Sequence, residues 1–144
     1  MLHSENTIVI DRTPAEVYAF LVDGMNGPRW RSGIASISLR SGEVGAVGAE
    51  YAQVLGGHGS RSTPADYRII VAEPGERIEF EVVAGPLRPK GAYVLAPVDA
   101  ATQVTFSLDA EPTGLMRLMT GTIRKTMTQE VAQLATLKQV LEQS

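Results

Sequence analysis

The sequence predicts an α+β fold: a seven-stranded curved antiparallel sheet wrapped around one long C-terminal helix, with two short helices between the first and second strands. Three observations predict it. From Thr113 to Leu141 the apolar residues Leu115, Met116, Leu118, Met119, Ile123, Met127, Val131, Leu134, Leu137 and Leu141 recur three or four apart, the period of one helical stripe. The preceding two thirds alternates at period two and is cut by short turn signals, none long enough for a parallel crossover. Finally, seven strands at about 4.8 Å spacing span about 30 Å, whereas a helix with its side chains is about 10–12 Å wide. One helix cannot cover such a sheet flat, so the sheet must curl.

The elements follow in order. Asn6 to Asp11, with β-branched Ile8-Val9-Ile10, reads as the first strand. Thr13-Pro14-Ala15-Glu16 then supplies an N-cap, a proline at the first helical position and a capping glutamate ahead of Val17, Phe20 and Leu21. Gly24 ends that helix, and Met25 to Arg31 reads as a short irregular or helical piece leading through Ser32-Gly33 into the next strand. Six strands follow at Ile34–Arg40, Gly48–Leu55, Tyr67–Glu73, Ile78–Ala84, Gly91–Ala96 and Gln103–Ala110, with Pro74-Gly75 and Val98-Asp99-Ala100-Ala101 as tight turns. Alternation points Val104, Phe106, Leu108, Ile78, Phe80 and Val82 inward, and by the same test Ile37, Leu39, Tyr51, Gln53, Leu55, Tyr67, Ile69, Val71, Tyr93 and Leu95. Gly121, unfavourable in a helix interior, predicts a bend there.

At 144 residues, 44% hydrophobic and 20% charged, the chain reads as one domain over residues 1–144 with a sizeable core. A net charge of −3 leaves no general basic field, which argues against nucleic-acid partners and anionic membranes. The absence of cysteine excludes thiol nucleophiles, thiolate metal sites and disulfides. Met1 to Asn6 has neither the basic nor the apolar region of a signal peptide, and no apolar run is long enough to span a membrane, so the expectation is a cytoplasmic protein without integral membrane association.

Thr13 to Leu21, Pro28-Arg29-Trp30, Val47-Gly48, Glu73 to Ile78, Gly91-Ala92-Tyr93 and Thr102 to Phe106, in this order of elements, resemble the helix-grip fold of the START and Bet v 1-like (SRPBCC) superfamily, and within it the polyketide cyclase/dehydrase-like branch. The resemblance spans nearly the whole chain. It implies a cavity between the long helix and the sheet that holds a lipid-like, aromatic or polyketide-like molecule, in a family where only some members are enzymes.

Candidate cavity residues come from the inward faces. Trp30, flanked by Arg29 and Arg31, either caps the mouth or anchors its short helix; the arginines read as solvated, unless one faces inward to meet a ligand oxygen. Tyr51, Tyr67 and Tyr93, with Gln53, are the polar groups placed to orient a ligand or pass a proton. Ile69, Phe80, Val82 and Phe106 would form the apolar wall, and Met116, Met119, Ile123 and Met127 the helix side, where thioethers adapt to irregular shapes. Asp66 and Glu50 read as solvated strand-end charges. Gly56-Gly57-His58-Gly59 lacks the Gly-Lys-Ser/Thr ending of a phosphate loop and reads as a hairpin tip near the entrance. With only His58 and His3, the latter in an expected frayed terminus, neither a His-based metal site nor a serine-type triad can be assembled, and no cofactor is expected.

The sequence thus supports three functions in order: a binder of a small hydrophobic molecule; a cyclase or dehydratase using pocket Tyr and Arg groups; and a packed, ligand-free interaction domain, working as a homodimer through an exposed apolar patch.

Overall fold

A computed structural model describes residues 1–56 and 62–144. It runs β1 (Leu2–Ile10), α1 (Pro14–Val22), a 3₁₀ turn (Gly24–Arg29), β2 (Ile34–Ser41), β3 (Glu50–Leu55), β4 (Thr63–Pro64), β5 (Tyr67–Glu73), β6 (Arg77–Val82), β7 (Lys90–Val98), β8 (Ala101–Ala110), a second 3₁₀ turn (Gly114–Met119), α2 (Thr120–Ala132) and α3 (Leu134–Glu142). The sheet is antiparallel in the order β1-β8-β7-β6-β5-β3-β2, with β4 a short addition beside β3. This is the helix-grip arrangement. No helix among the described residues is long and apolar enough to cross a membrane.

The local signals act as their chemistry requires. The Thr13 hydroxyl accepts from the Glu16 amide at 3.2 Å while the Glu16 carboxylate accepts from the Thr13 amide at 3.3 Å, so two otherwise orphaned donors are satisfied at the start of α1. The β5–β6 turn places Pro74 before Gly75 at φ 75°, and the Glu76 amide donates to the Glu73 carbonyl at 2.9 Å. The β7–β8 turn carries Asp99 at φ 54°, a conformation an aspartate tolerates better than most residues.

Several expectations are corrected. β1 begins at Leu2 rather than Asn6, pairing Leu2 with Ala110. His3 is therefore not frayed: its Nδ1 lies 2.7 Å from Asp109 Oδ1 across the ladder. Val71 does not face inward, because a bulge between Ile69 and Val71 reverses the alternation. Val71 now pairs with outward Glu79, and Ala72 packs on the core. Leu39 shares a face with Tyr51 but remains exposed because β2 is an edge strand.

The C-terminal stripe also departs from a uniform helix. Gly114–Met119 is 3₁₀, with three residues per turn, so side chains at i and i+3 eclipse. Met116 and Met119 then form one row and Leu115 and Leu118 another; the leucines are 83% and 84% exposed instead of buried. Gly121 carries no break and sits in open space in the first turn of α2. The interruption falls at Gln133, whose amide bonds back to Glu130, yet the stripe continues unbroken through Ile123, Met127, Val131, Leu134, Leu137 and Leu141.

The helices lie chiefly over β1 and β8. Asn6 Nδ2 donates to the Val131 carbonyl at 3.1 Å, and Lys138 Nζ covers the Val9 carbonyl on the edge strand at 2.7 Å. Arg12 Nη2 donates to the terminal carbonyls of Glu142 and Ser144, at 3.0 and 2.8 Å. Held to that side, the helices leave the inner faces of β5, β6 and β7 for the sheet's curl to enclose.

Candidate functional site

That enclosed space is a cavity of about 350 Å³. It lies within the range of small-molecule sites and is more than twice the roughly 150 Å³ that admits a benzene in an apolar core. Its sheet wall is an aromatic row built by cross-strand neighbours on β5, β6, β7 and β8 and backed by Tyr51 on β3. Tyr51 stacks on Tyr67 (5.2 Å between centroids), Tyr67 meets Phe80 (5.4 Å), Phe80 meets Tyr93 (6.0 Å), and Tyr93 stacks on Phe106 (4.5 Å). Trp30 stands edge-on to Tyr93 and Phe106. Gly91 makes the row possible: directly across from Phe80, its absent side chain is where the Phe80 ring lies, and a Cβ there would sit 2.2 Å from Cζ. Gly24 plays the same part for Tyr67, whose hydroxyl would be 2.2 Å from an added Cβ.

Of the residues singled out in the sequence, the structure brings twelve to the cavity wall: Trp30, Gln53, Tyr67, Ile69, Phe80, Val82, Tyr93, Phe106, Met116, Met119, Ile123 and Met127. Tyr51 is not among them. It is fully buried behind Tyr67, and its hydroxyl has no hydrogen-bond partner among the described residues. His58 lies outside the described residues.

The sequence reading missed the strongest polar feature. Arg31 is not solvated. Its guanidinium enters the wall, with Nε donating to Glu130 Oε1 at 2.5 Å and Nη1 to Gln53 Oε1 at 3.1 Å. Gln53 is held in turn by its Nε2 on the Ala65 carbonyl, and its amide donates to Asp66 Oδ1. Asp66 is buried rather than solvated and is paired with Arg40 at 2.7 Å. Desolvation alone would lower the Arg31 pKa, but the Glu130 carboxylate outweighs it and holds the group above its ordinary value. Arg31 Nη2 makes no hydrogen bond to another described residue. The overlooked signal was Glu130 itself, which sits three residues after Met127 and seven after Ile123, on the buried face in helical phase. A carboxylate there implies a cationic partner.

The phenols behave as neutral groups. Burial pushes Tyr67 and Tyr93 far above the usual phenol range, although Arg31 pulls both the other way; burial also raises Tyr18 and Tyr51. These are all the tyrosines of the chain. Each ionises more readily in the unfolded chain, so stability is unaffected below pH about 10 and falls as pH rises past it. Ultraviolet titration is therefore expected to show less tyrosinate in the folded protein at pH about 10 than in the unfolded chain, and a loss of stability as pH rises beyond it. A phenol that titrates at its ordinary value with the fold intact would contradict this burial.

A family model described as polyketide cyclase/dehydrase and lipid transport matches residues 1–142. Among solved structures, a protein of Thermus thermophilus superposes with a TM-score of 0.81 at 20% identity, over 99% of each chain. A START superfamily protein from Mycobacterium smegmatis gives 0.76 at 14% identity, over 98% of this chain and 97% of that one. The di-domain ARO/CYC protein BexL of the BE-7585A biosynthetic pathway gives 0.70 at 18% identity, over 93% of this chain and 45% of that one. At these identities the structures show a shared fold. No curated protein matches the chain by sequence.

Proposed function

Because the chain belongs to the polyketide cyclase/dehydrase and lipid transport family, we propose that it binds a small hydrophobic molecule, aromatic or acyl-chain-like, between α2 and the sheet. The observation that carries this reading is the cavity: about 350 Å³, walled by aromatic rings and thioethers, with Arg31, Glu130, Gln53 and the Tyr67 and Tyr93 hydroxyls as its principal inner polar groups. The paired Glu130 neutralises Arg31, which favours a carbonyl or hydroxyl oxygen on the ligand over a full carboxylate.

A second reading, a cyclase or dehydratase, is favoured by one observation: neutral phenols and a guanidinium line the same cavity as a carboxylate. In that case the tyrosines serve as hydrogen-bond donors to a developing oxyanion, and Glu130 and Asp23 are the lining carboxylates able to accept a proton.

Native mass spectrometry of freshly purified protein tests the binding reading, with displacement of an apolar fluorescent probe as its second measurement. A retained adduct, or saturable probe binding, is expected. Gly91→Ala supplies the control. The new Cβ displaces the Phe80 ring, which lines the cavity, so probe affinity should fall at least about tenfold, while overpacking costs about 1–3 kcal/mol of stability. Undiminished probe affinity in a folded Gly91→Ala protein would place the bound probe elsewhere.

A further inference from the structure

The cavity mouth is defined by residues that both line it and are exposed: Thr63, Pro64, Pro86, Met119, Thr122 and Thr126. They come from β4, the β6–β7 connection and the start of the C-terminal helical segment. The chain segments that supply much of this rim are basic, although Lys90 stands between Glu81 and Asp109 on the ladder. Residues 82–98 and 112–129 carry Arg88, Lys90, Arg117, Arg124 and Lys125 and no acidic residue; the whole chain has net charge −3, so the remainder carries −8. None of the five cations forms a salt bridge among the described residues, whereas Arg31, Arg40, Arg68, Arg77 and Lys138 all do. Flanking Arg117 in the second 3₁₀ turn are Leu115 and Leu118, the two most exposed large apolar side chains among the described residues. The 3₁₀ geometry that turns Met116 and Met119 into the cavity turns these leucines outward.

We propose that this rim is a docking face for an anionic lipid bilayer, with Leu115 and Leu118 inserted at the headgroup–acyl boundary and the cations on the lipid phosphates, so that the mouth faces the apolar phase. Exposed leucines flanking Arg117 on a short helical segment, with Arg124 and Lys125 in the helix that follows, are what an interfacial anchor requires. A second copy fits less well, because two such rims would oppose five cations to five. The leucines stand almost fully exposed on a 3₁₀ turn, which a deformable apolar phase covers more readily than a rigid protein groove. The inference rests on the binding reading above and adds where the ligand enters.

Flotation of the full chain with vesicles tests it, comparing phosphatidylcholine alone with phosphatidylcholine containing phosphatidylglycerol. The protein is expected to float with the anionic vesicles at low salt and to be released by raised salt, with affinity falling roughly fivefold for each rim cation removed. Leu115→Ser/Leu118→Ser should reduce partition about tenfold or more without lowering the melting temperature, since both side chains are already solvated. Absence of flotation at low salt, or flotation indifferent to the leucine pair, overturns the proposal. So does a wild-type dimer that the leucine variant dissociates, which would make the patch a self-association face. Native mass spectrometry on the same preparation separates the two claims: an adduct without flotation removes the docking face and keeps the cavity, whereas flotation with neither adduct nor probe binding removes the cavity reading.

Discussion

Trp30→Ala is expected to lower the unfolding free energy by about 3–5 kcal/mol, the range for truncating a large buried aromatic side chain, and to lower the melting temperature by roughly 10 °C or more. Trp30 is 5% exposed, closes the first 3₁₀ turn by donating its amide to the Gly27 carbonyl, and packs edge-on against both Tyr93 and Phe106. It also lines the cavity. The two roles that the sequence leaves open, anchor and cavity wall, therefore fall on one side chain and predict different losses. Anchoring predicts a destabilisation that Trp30→Phe largely recovers, because an edge-on aromatic contact survives. A ligand contact predicts weaker probe binding even where stability is recovered. Denaturant unfolding and probe titration on both variants separate them. A Trp30→Ala protein of nearly wild-type stability would refute the anchor.

What was legible in the sequence is what local chemistry decides. The capping box at Thr13 and Glu16, the Pro74-Gly75 turn and the strict alternation from Gln103 to Leu108 each specify their structure within a few residues, and each is found in place. What was illegible depends on register and phase. The bulge that turns Val71 outward has no residue signature, because Ile69, Ile70 and Val71 are all β-branched and suit either face. The switch from 3₁₀ to α geometry at Thr120 regroups Leu115, Met116, Leu118 and Met119 by threes, and an α-helical reading of the same residues places all four in one stripe. Seven of the expected cavity residues were still placed from the sheet, Gln53, Tyr67, Ile69, Phe80, Val82, Tyr93 and Phe106, since they lie on strands whose alternation holds. Arg31 was lost because a residue just past a short helical piece has no periodicity to orient it; only its partner, on α2, carried a phase.

Breaking the Arg31–Glu130 pair is expected to show how that lost residue holds the helix to the sheet. The pair links the segment after the first 3₁₀ turn to α2, and Arg31 extends the link to Gln53 on β3. Removing one member of a fully buried pair costs about 3–5 kcal/mol, and since these side chains retain 16% and 22% exposure, about 2–3 kcal/mol is expected for Arg31→Met or Glu130→Leu alone. Arg31→Met leaves Glu130 facing only the Gln133 amide at 3.4 Å and strips Gln53 Oε1 of its donor. Glu130→Leu leaves a guanidinium in an apolar wall. The double variant removes both charges and both desolvation costs, so it should be at most about 1 kcal/mol less stable than wild type, a coupling of about 3 kcal/mol or more in the cycle. Additive losses would mean that the two side chains are solvated independently. The same three proteins report on the ligand: an apolar probe should still enter the double variant's cavity, whereas a natural ligand held by an oxygen on Arg31 should be missing from its native mass spectrum. If the natural adduct persists with both charges gone, recognition is by shape and apolar contact alone, and the ion pair serves only to fasten α2 to the segment after the first 3₁₀ turn.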